Sequence, residues 1–175
     1  PLRRQRQMCI RDSYLIGLPG SGKSTIGREL AHKLKYKFID TDKLIEGKYG
    51  NISNIFKEHG EAYFRDVESE ILKSLMGLDN VVISCGGGIV EREINKSYMN
   101  GIVVYLDASL KEINNRLAND TSRPLMATNS VMDLYKRRHQ KYDSFKTFRV
   151  KNQIISKAIK DIKKETSRLC KKNKF

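Results

Sequence analysis

The stretch Gly17-Leu-Pro-Gly-Ser-Gly-Lys23-Ser24-Thr25 decides how the rest of the chain is read. It fits G-x-x-x-x-G-K-[ST], a pattern whose residue types follow from the task of holding a polyphosphate. Glycines let the main chain turn tightly and approach an anion with no Cβ in the way. Successive N–H groups, continued by the first turn of a helix, form a nest for negative oxygens. Lys23 adds a point charge toward the β- and γ-phosphates, and the Ser24 hydroxyl is suited to ligate Mg2+. The context agrees, because a short apolar run from Tyr14 precedes the glycines and Ile26, Leu30 and Leu34 follow at helical spacing. Gly20, Ser21, Gly22, Lys23, Ser24 and Thr25 are therefore expected to hold the phosphates of ATP, with Ser24 also a metal ligand.

Working outward, strand-like runs alternate with helical segments. Lys37 to Asp40 reads as a second strand, and Val81 to Ser84 and Ile102 to Leu106 are β-branched runs suited to buried parallel strands. Phe64, Val67, Ile71, Leu72, Leu75 and Leu78 mark one face of a long helix, and Val131, Leu134, Tyr135 and Tyr142 mark another. Phe148 to Val150 is a weaker last strand, followed by an amphipathic helix around Ile154, Ala158, Ile159 and Ile162. The alternation predicts an α/β fold, a three-layer α/β/α sandwich around a parallel sheet of about five strands. Phosphate chemistry then falls at the carboxyl ends of the strands. Residues 118–130 (ANDTSRPLMATNS) fit neither pattern and read as a loop, either ordinary surface or a mobile lid over the site.

Asp40-Thr41-Asp42 closes the second strand. Two carboxylates there would project toward the phosphate loop, one to orient Mg2+ through its waters and one to accept a proton from a hydroxyl. Asp and Thr also start helices, so Asp42 is equally a candidate N-cap.

Composition narrows the class. A chain of 175 residues with 39% hydrophobic and 31% charged residues has the makeup of one globular domain. No apolar run is long enough to span a bilayer and none resembles a secretory signal, so a cytoplasmic protein is expected. Cys9, Cys85 and Cys170 are too scattered for a disulfide framework, and His32, His59 and His139 show no metal-ligand spacing. The net charge of +14 raises the question of nucleic acid. Part of it sits in Arg3 to Ser13 (RRQRQMCIRDS), which looks like the in-frame translation of a transposon adapter used in sequencing libraries. Residues 1–13 are accordingly set aside as a non-native tail, leaving 14–175 as one domain with a lid at about 118–130. Much of the remaining excess lies on the polar face of the last helix, and positive charge also suits an enzyme with two anionic ligands.

Taken together, these residues resemble the shikimate kinase family over roughly Tyr14 to Ile162. The resemblance rests on GLPGSGKST, FIDTD, Phe64-Arg65 with Glu68 (F-R-x-x-E), Gly86-Gly87-Gly88 after a strand, Arg123-Pro124-Leu125, and Arg138 followed by Tyr142, all in order and at matching spacing. It implies a P-loop kinase fold with a mobile lid, and ATP-dependent phosphorylation of shikimate at the 3-hydroxyl on the route to aromatic amino acids. It also implies roles. Arg65 and Arg138 would bind the acceptor carboxylate, and Gly86, Gly87 and Gly88 would line the ring. Asp42 would hold the reacting hydroxyl and take its proton, and Asp40 would stand near Mg2+. Arg116 would lie against adenine, and Arg123 would enter with the lid to stabilise the transferring phosphoryl alongside Lys23. A proline that the family usually has before the tyrosine is absent from His139-Gln140-Lys141, which leaves Arg137 as an alternative to Arg138.

Other functions compete. A gluconate kinase or a nucleoside monophosphate kinase shares the phosphate loop, but the triple glycine with Arg65 fits a compact carboxylated ring better. An RNA-associated P-loop NTPase would use the basic charge, yet no aromatic platform interleaves with basic residues. The expected partners are thus ATP and shikimate, without nucleic acid or membrane, in a monomer.

Overall fold

The structure is a computed structural model that describes residues 12–117, 130–151 and 154–172. Residues 118–129 with Arg123, which make up most of the expected lid, and residues 1–11 with Cys9, which make up most of the expected tail, lie outside the described residues.

The elements follow in the order β1 (Ser13–Ile16), α1 (Lys23–Leu34), β2 (Lys37–Asp40), α2 (Thr41–Tyr49), α3 (Ile52–Ser74), β3 (Val81–Ser84), a 3-10 turn (Ile89–Glu91), α4 (Asn95–Tyr98), β4 (Ile102–Asp107), α5 (Leu110–Leu117), α6 (Val131–Phe145), β5 (Phe148–Lys151) and α7 (Ile155–Lys172). The five strands are all parallel, in the order β2-β3-β1-β4-β5. The weak last strand is therefore real, and it pairs with β4 from Val104↔Phe148 to Asp107↔Lys151.

Period-two alternation sorts the strand side chains onto two faces. Tyr14, Ile16, Val81, Ile83, Val103 and Tyr105 point into one core with residues of α3 and α6. Leu15, Val82, Val104 and Leu106 point into the other, against Ile26 and Leu30 of α1 and Ala158, Ile159 and Ile162 of α7. A parallel sheet covered on both faces needs such near-continuous apolar strands. Gly27 lets α1 lie close to the sheet, since a Cβ there would stand 2.5 Å from the Phe38 ring.

Two boundaries differ from the sequence reading. The sheet starts at Ser13, which pairs with both Val82 and Ile102, and buried Asp12 accepts a hydrogen bond from the Ile102 amide (2.9 Å). Asp12 and Ser13, set aside with the tail, thus carry main-chain bonds of the sheet. The long helix starts earlier than its apolar stripe and is broken at Gly60 (φ 83°, ψ 176°), a left-handed conformation that glycine tolerates. The break places Glu61 at the start of the segment that carries Arg65 and Glu68.

Candidate active site

The phosphate loop joins β1 to α1. Gly20 (φ 76°) and Gly22 (φ 91°) take left-handed conformations, and Gly22 is the N-cap of α1, whose first-turn amides have no carbonyl of their own helix to bond. The Lys23 ammonium is buried and donates to the carbonyls of Gly17 and Leu18, at 2.9 Å each. A cavity of about 250 Å3 opens here, lined by Gly20, Lys23, Ser24, Thr25, Asp40 and Asp42 among others. Arg116, at the end of α5, reaches the cavity and donates to the Gly20 carbonyl (3.0 Å).

Opposite the loop, the Ser24 hydroxyl donates to Asp40 Oδ2 (2.7 Å) and lies 3.3 Å from the Ser84 hydroxyl. These are hard oxygen donors of the kind that Mg2+ prefers, with room for phosphates and water to complete the shell. Among the described residues no group of three or more His, Cys, Asp or Glu forms a protein-only cage for a metal. The kinase chemistry of the site calls for ATP and a divalent cation, and Ser24 with Asp40 suits that cation.

The question of capping at Asp40-Thr41-Asp42 resolves in favour of Asp40. It is the N-cap of α2, and Oδ1 accepts from the amides of Asp42 (3.1 Å) and Lys43 (3.4 Å) while Oδ2 receives Ser24. Asp42 sits in the first helical turn, where the helix dipole favours a carboxylate, and its side chain turns to the cavity.

Gly86, Gly87 and Gly88 follow β3, and each meets something different. A methyl on Gly86 would fall 2.5 Å from Glu68 Oε1 and 2.7 Å from Asp42 Oδ1. One on Gly87 would stand 2.8 Å from Pro19 of the phosphate loop, and one on Gly88 would strike the Arg65 guanidinium. The Gly86 amide donates to Thr41 Oγ1 (2.9 Å). The Gly87 carbonyl accepts from both Tyr142 Oη (2.6 Å) and Arg138 Nη1 (3.2 Å). This turn therefore touches every part of the expected acceptor site.

The two expected substrate arginines converge on it. Arg65 is buried and pairs with Glu68 through Nη1 and with Glu61 through Nη2 (3.0 Å). Arg138 is 1% exposed, and its buried Nη2 has no hydrogen-bond partner among the described residues. Arg137 points outward to Glu61 and Glu91, so Arg138 is the inner arginine of the two. Burial pushes the Glu68 carboxyl up, against the pull of Arg65 and with help from Asp42, to about 7. At Glu91, burial acts upward too, but hydrogen bonds from Lys141, Arg138 and Arg137 hold it at about 2. Cys85 is a small buried filler just before the glycines, its thiol pushed up by burial.

Apart from buried Ser21, the described residues expected on the phosphate side line the cavity, and Arg65 and Arg138 meet at the adjoining glycine turn, which also touches Asp42. Sequence reasoning missed Ser84, Glu61 and Glu91. The four-residue spacing of Glu61 and Arg65 on one helix was the available signal for the second. Nothing local to Glu91 announced its role.

The fold and this cleft define a P-loop kinase for a small, anionic acceptor. The family model for shikimate kinase matches residues 19–169. The shikimate kinase of Rippkaea orientalis is 45% identical over 127 residues, covering 71% of this chain and 68% of that protein. The shikimate kinase of Acinetobacter baumannii, solved in complex with shikimate, superposes with a TM-score of 0.83 at 33% identity over 95% of this chain and 96% of that one. A gluconokinase from Sinorhizobium meliloti shares the fold alone, with a TM-score of 0.66 at 20% identity over 92% of this chain and 94% of its own. The chain belongs to the shikimate kinase family.

Proposed function

We propose that this chain transfers the γ-phosphoryl group of Mg·ATP to the 3-hydroxyl of shikimate, giving shikimate 3-phosphate and ADP, a step toward the aromatic amino acids. One observation carries the reading. A buried guanidinium nitrogen of Arg138 stands without a partner among the described residues, beside the glycine turn that also contacts Arg65, Asp42 and the phosphate loop. Such a donor suits a carboxylate that arrives with the acceptor.

In this reading the acceptor carboxylate lies between Arg65 and Arg138, and its ring rests on the glycines. Asp42 accepts the proton as the 3-oxygen bonds to the γ-phosphorus and the bond to the ADP oxygen breaks. The loop amides and Lys23 stabilise the charge that develops on the phosphoryl oxygens. Mg2+, held by Ser24 and near Asp40, would neutralise β- and γ-phosphate charge when bound. Arg116 would flank the adenine, and Arg123 would add a further positive charge over the transferring group.

A panel assay tests this directly. Purified chain with Mg·ATP and shikimate, gluconate or nucleoside monophosphates should release ADP at an appreciable rate only with shikimate. Comparable turnover with gluconate would overturn the acceptor assignment. No helix among the described residues is long and apolar enough to cross a membrane. A cytoplasmic monomer that does not depend on nucleic acid completes the proposal. Light scattering checks the monomer, and sub-micromolar RNA binding at physiological salt would count against the metabolic reading.

A further inference from the structure

The two acceptor guanidinium groups carry like charges toward one small space, and each sits on a long, flexible stem. Something must hold them in register before the acceptor arrives. Glu61 Oε1 accepts from Arg65 Nη2 (3.0 Å) and from Arg137 Nη2 (3.0 Å). Glu91 Oε1 accepts from Arg137 Nε (2.8 Å) and from Arg138 Nε (2.7 Å), while Oε2 takes Lys141 Nζ (2.6 Å). Charges therefore alternate without a break from Arg65 through Glu61, Arg137 and Glu91 to Arg138. We infer that Glu91, with Arg137 and Glu61, is a positioning relay that fixes the spacing and direction of the two acceptor-binding guanidinium groups.

Three features support this assignment. Glu91 ends the 3-10 turn that begins directly after Gly88, so it is rigidly tied to the glycine turn. It holds Arg138 by Nε while the Gly87 carbonyl holds Nη1, which leaves Nη2 as the buried nitrogen with no partner among the described residues. The hydrogen bonds of Arg137 run to Glu61 and Glu91, and among the described residues it alone bonds to both carboxylates. A surface ion pair serving only stability would have no reason to join both acceptor arginines.

This inference rests on the proposed shikimate chemistry, and its test separates the two. In Glu91→Gln, one oxygen can still accept from Arg138, but the charge that gathers three cations is gone. The KM for shikimate should rise about tenfold, with the KM for ATP and kcat each within about twofold of the parent. Arg137→Gln, at a half-exposed position, should raise the shikimate KM about threefold. Combining it with Glu91→Gln should add little further, because both cut the same relay. Arg137→Lys should restore part of the loss by reaching Glu91 with one bond.

An unmoved shikimate KM in Glu91→Gln, whatever its thermal stability, overturns the relay. So does a parallel rise in both KM values. If Glu91→Gln does not fold, Arg137→Gln decides alone, and an unchanged shikimate KM there overturns the relay as well. Failure of the unmodified chain to phosphorylate shikimate overturns the proposed function itself. Normal parental turnover with indifferent variants overturns only the relay.

Discussion

In the phosphate cradle the donors come from one short run, Gly17 to Thr25, and most are main-chain amides. Around the proposed acceptor site they are guanidinium groups brought from α3 and α6 to a glycine turn after β3. Amides at a helix start are held by bonded geometry and lose no rotamer freedom when an anion arrives. Guanidinium groups on long stems must be held by partners, so Arg65 and Arg138 are pinned by Glu61, Glu68 and Glu91. One subsite is thus specified by conformation and the other by a charge network.

The sharpest way to break this contrast is Lys23→Ala, which removes the principal side-chain charge of the cradle. Turnover should fall about a thousandfold, roughly 4 kcal/mol of transition-state stabilisation, while the KM for shikimate stays put. Steady-state kinetics on both substrates measures this, and unchanged kcat would show that the amides suffice. Next in size, Arg65→Ala should raise the shikimate KM about a hundredfold with a smaller loss of kcat, because it anchors a group that does not react. Movement of the ATP KM alone would mean that the acceptor pocket has been misplaced.

The smallest effect concerns pH. Glu68 is ionised chiefly above about pH 7, and only the ionised form pairs fully with Arg65. Lowering the pH from 8 to 6 should therefore reduce kcat/KM for shikimate by about tenfold. The limb should vanish in Glu68→Gln, and its persistence there would assign it to another group. Glu91 stays ionised across that range, so the relay contributes no limb of its own.

The same contrast explains what could be read from the chain without coordinates. A phosphate loop is contiguous, and its glycines have few other uses, so GLPGSGKST with its flanking strand and helix disclosed both the sheet and the cradle. The strands were legible because a buried parallel sheet demands β-branched runs such as Val81 to Ser84. Arg65, Glu68 and Arg138 emerged only from their shared spacing with a known family, since each alone reads as a helix-face charge. Glu91 was beyond reach, and Arg137 stood only as an alternative to Arg138, because what joins them is a contact 46 positions apart in sequence. The capping role of Asp40 was hidden for a different reason. Either aspartate of the motif could have started α2, and only the phase of the helix relative to β2 decides between them.

The glycine turn has a consequence for how the reactants are spaced. Gly87 abuts Pro19 of the phosphate loop, and its neighbour Gly88 abuts Arg65. The phosphate loop and the pinned Arg65 guanidinium are therefore gauged against adjacent links of a single backbone strut. An added methyl group acts as a shim at a chosen point along that strut. At Gly87 it would press on the ATP side and at Gly88 on the shikimate side, and the reaction gap would change from either end.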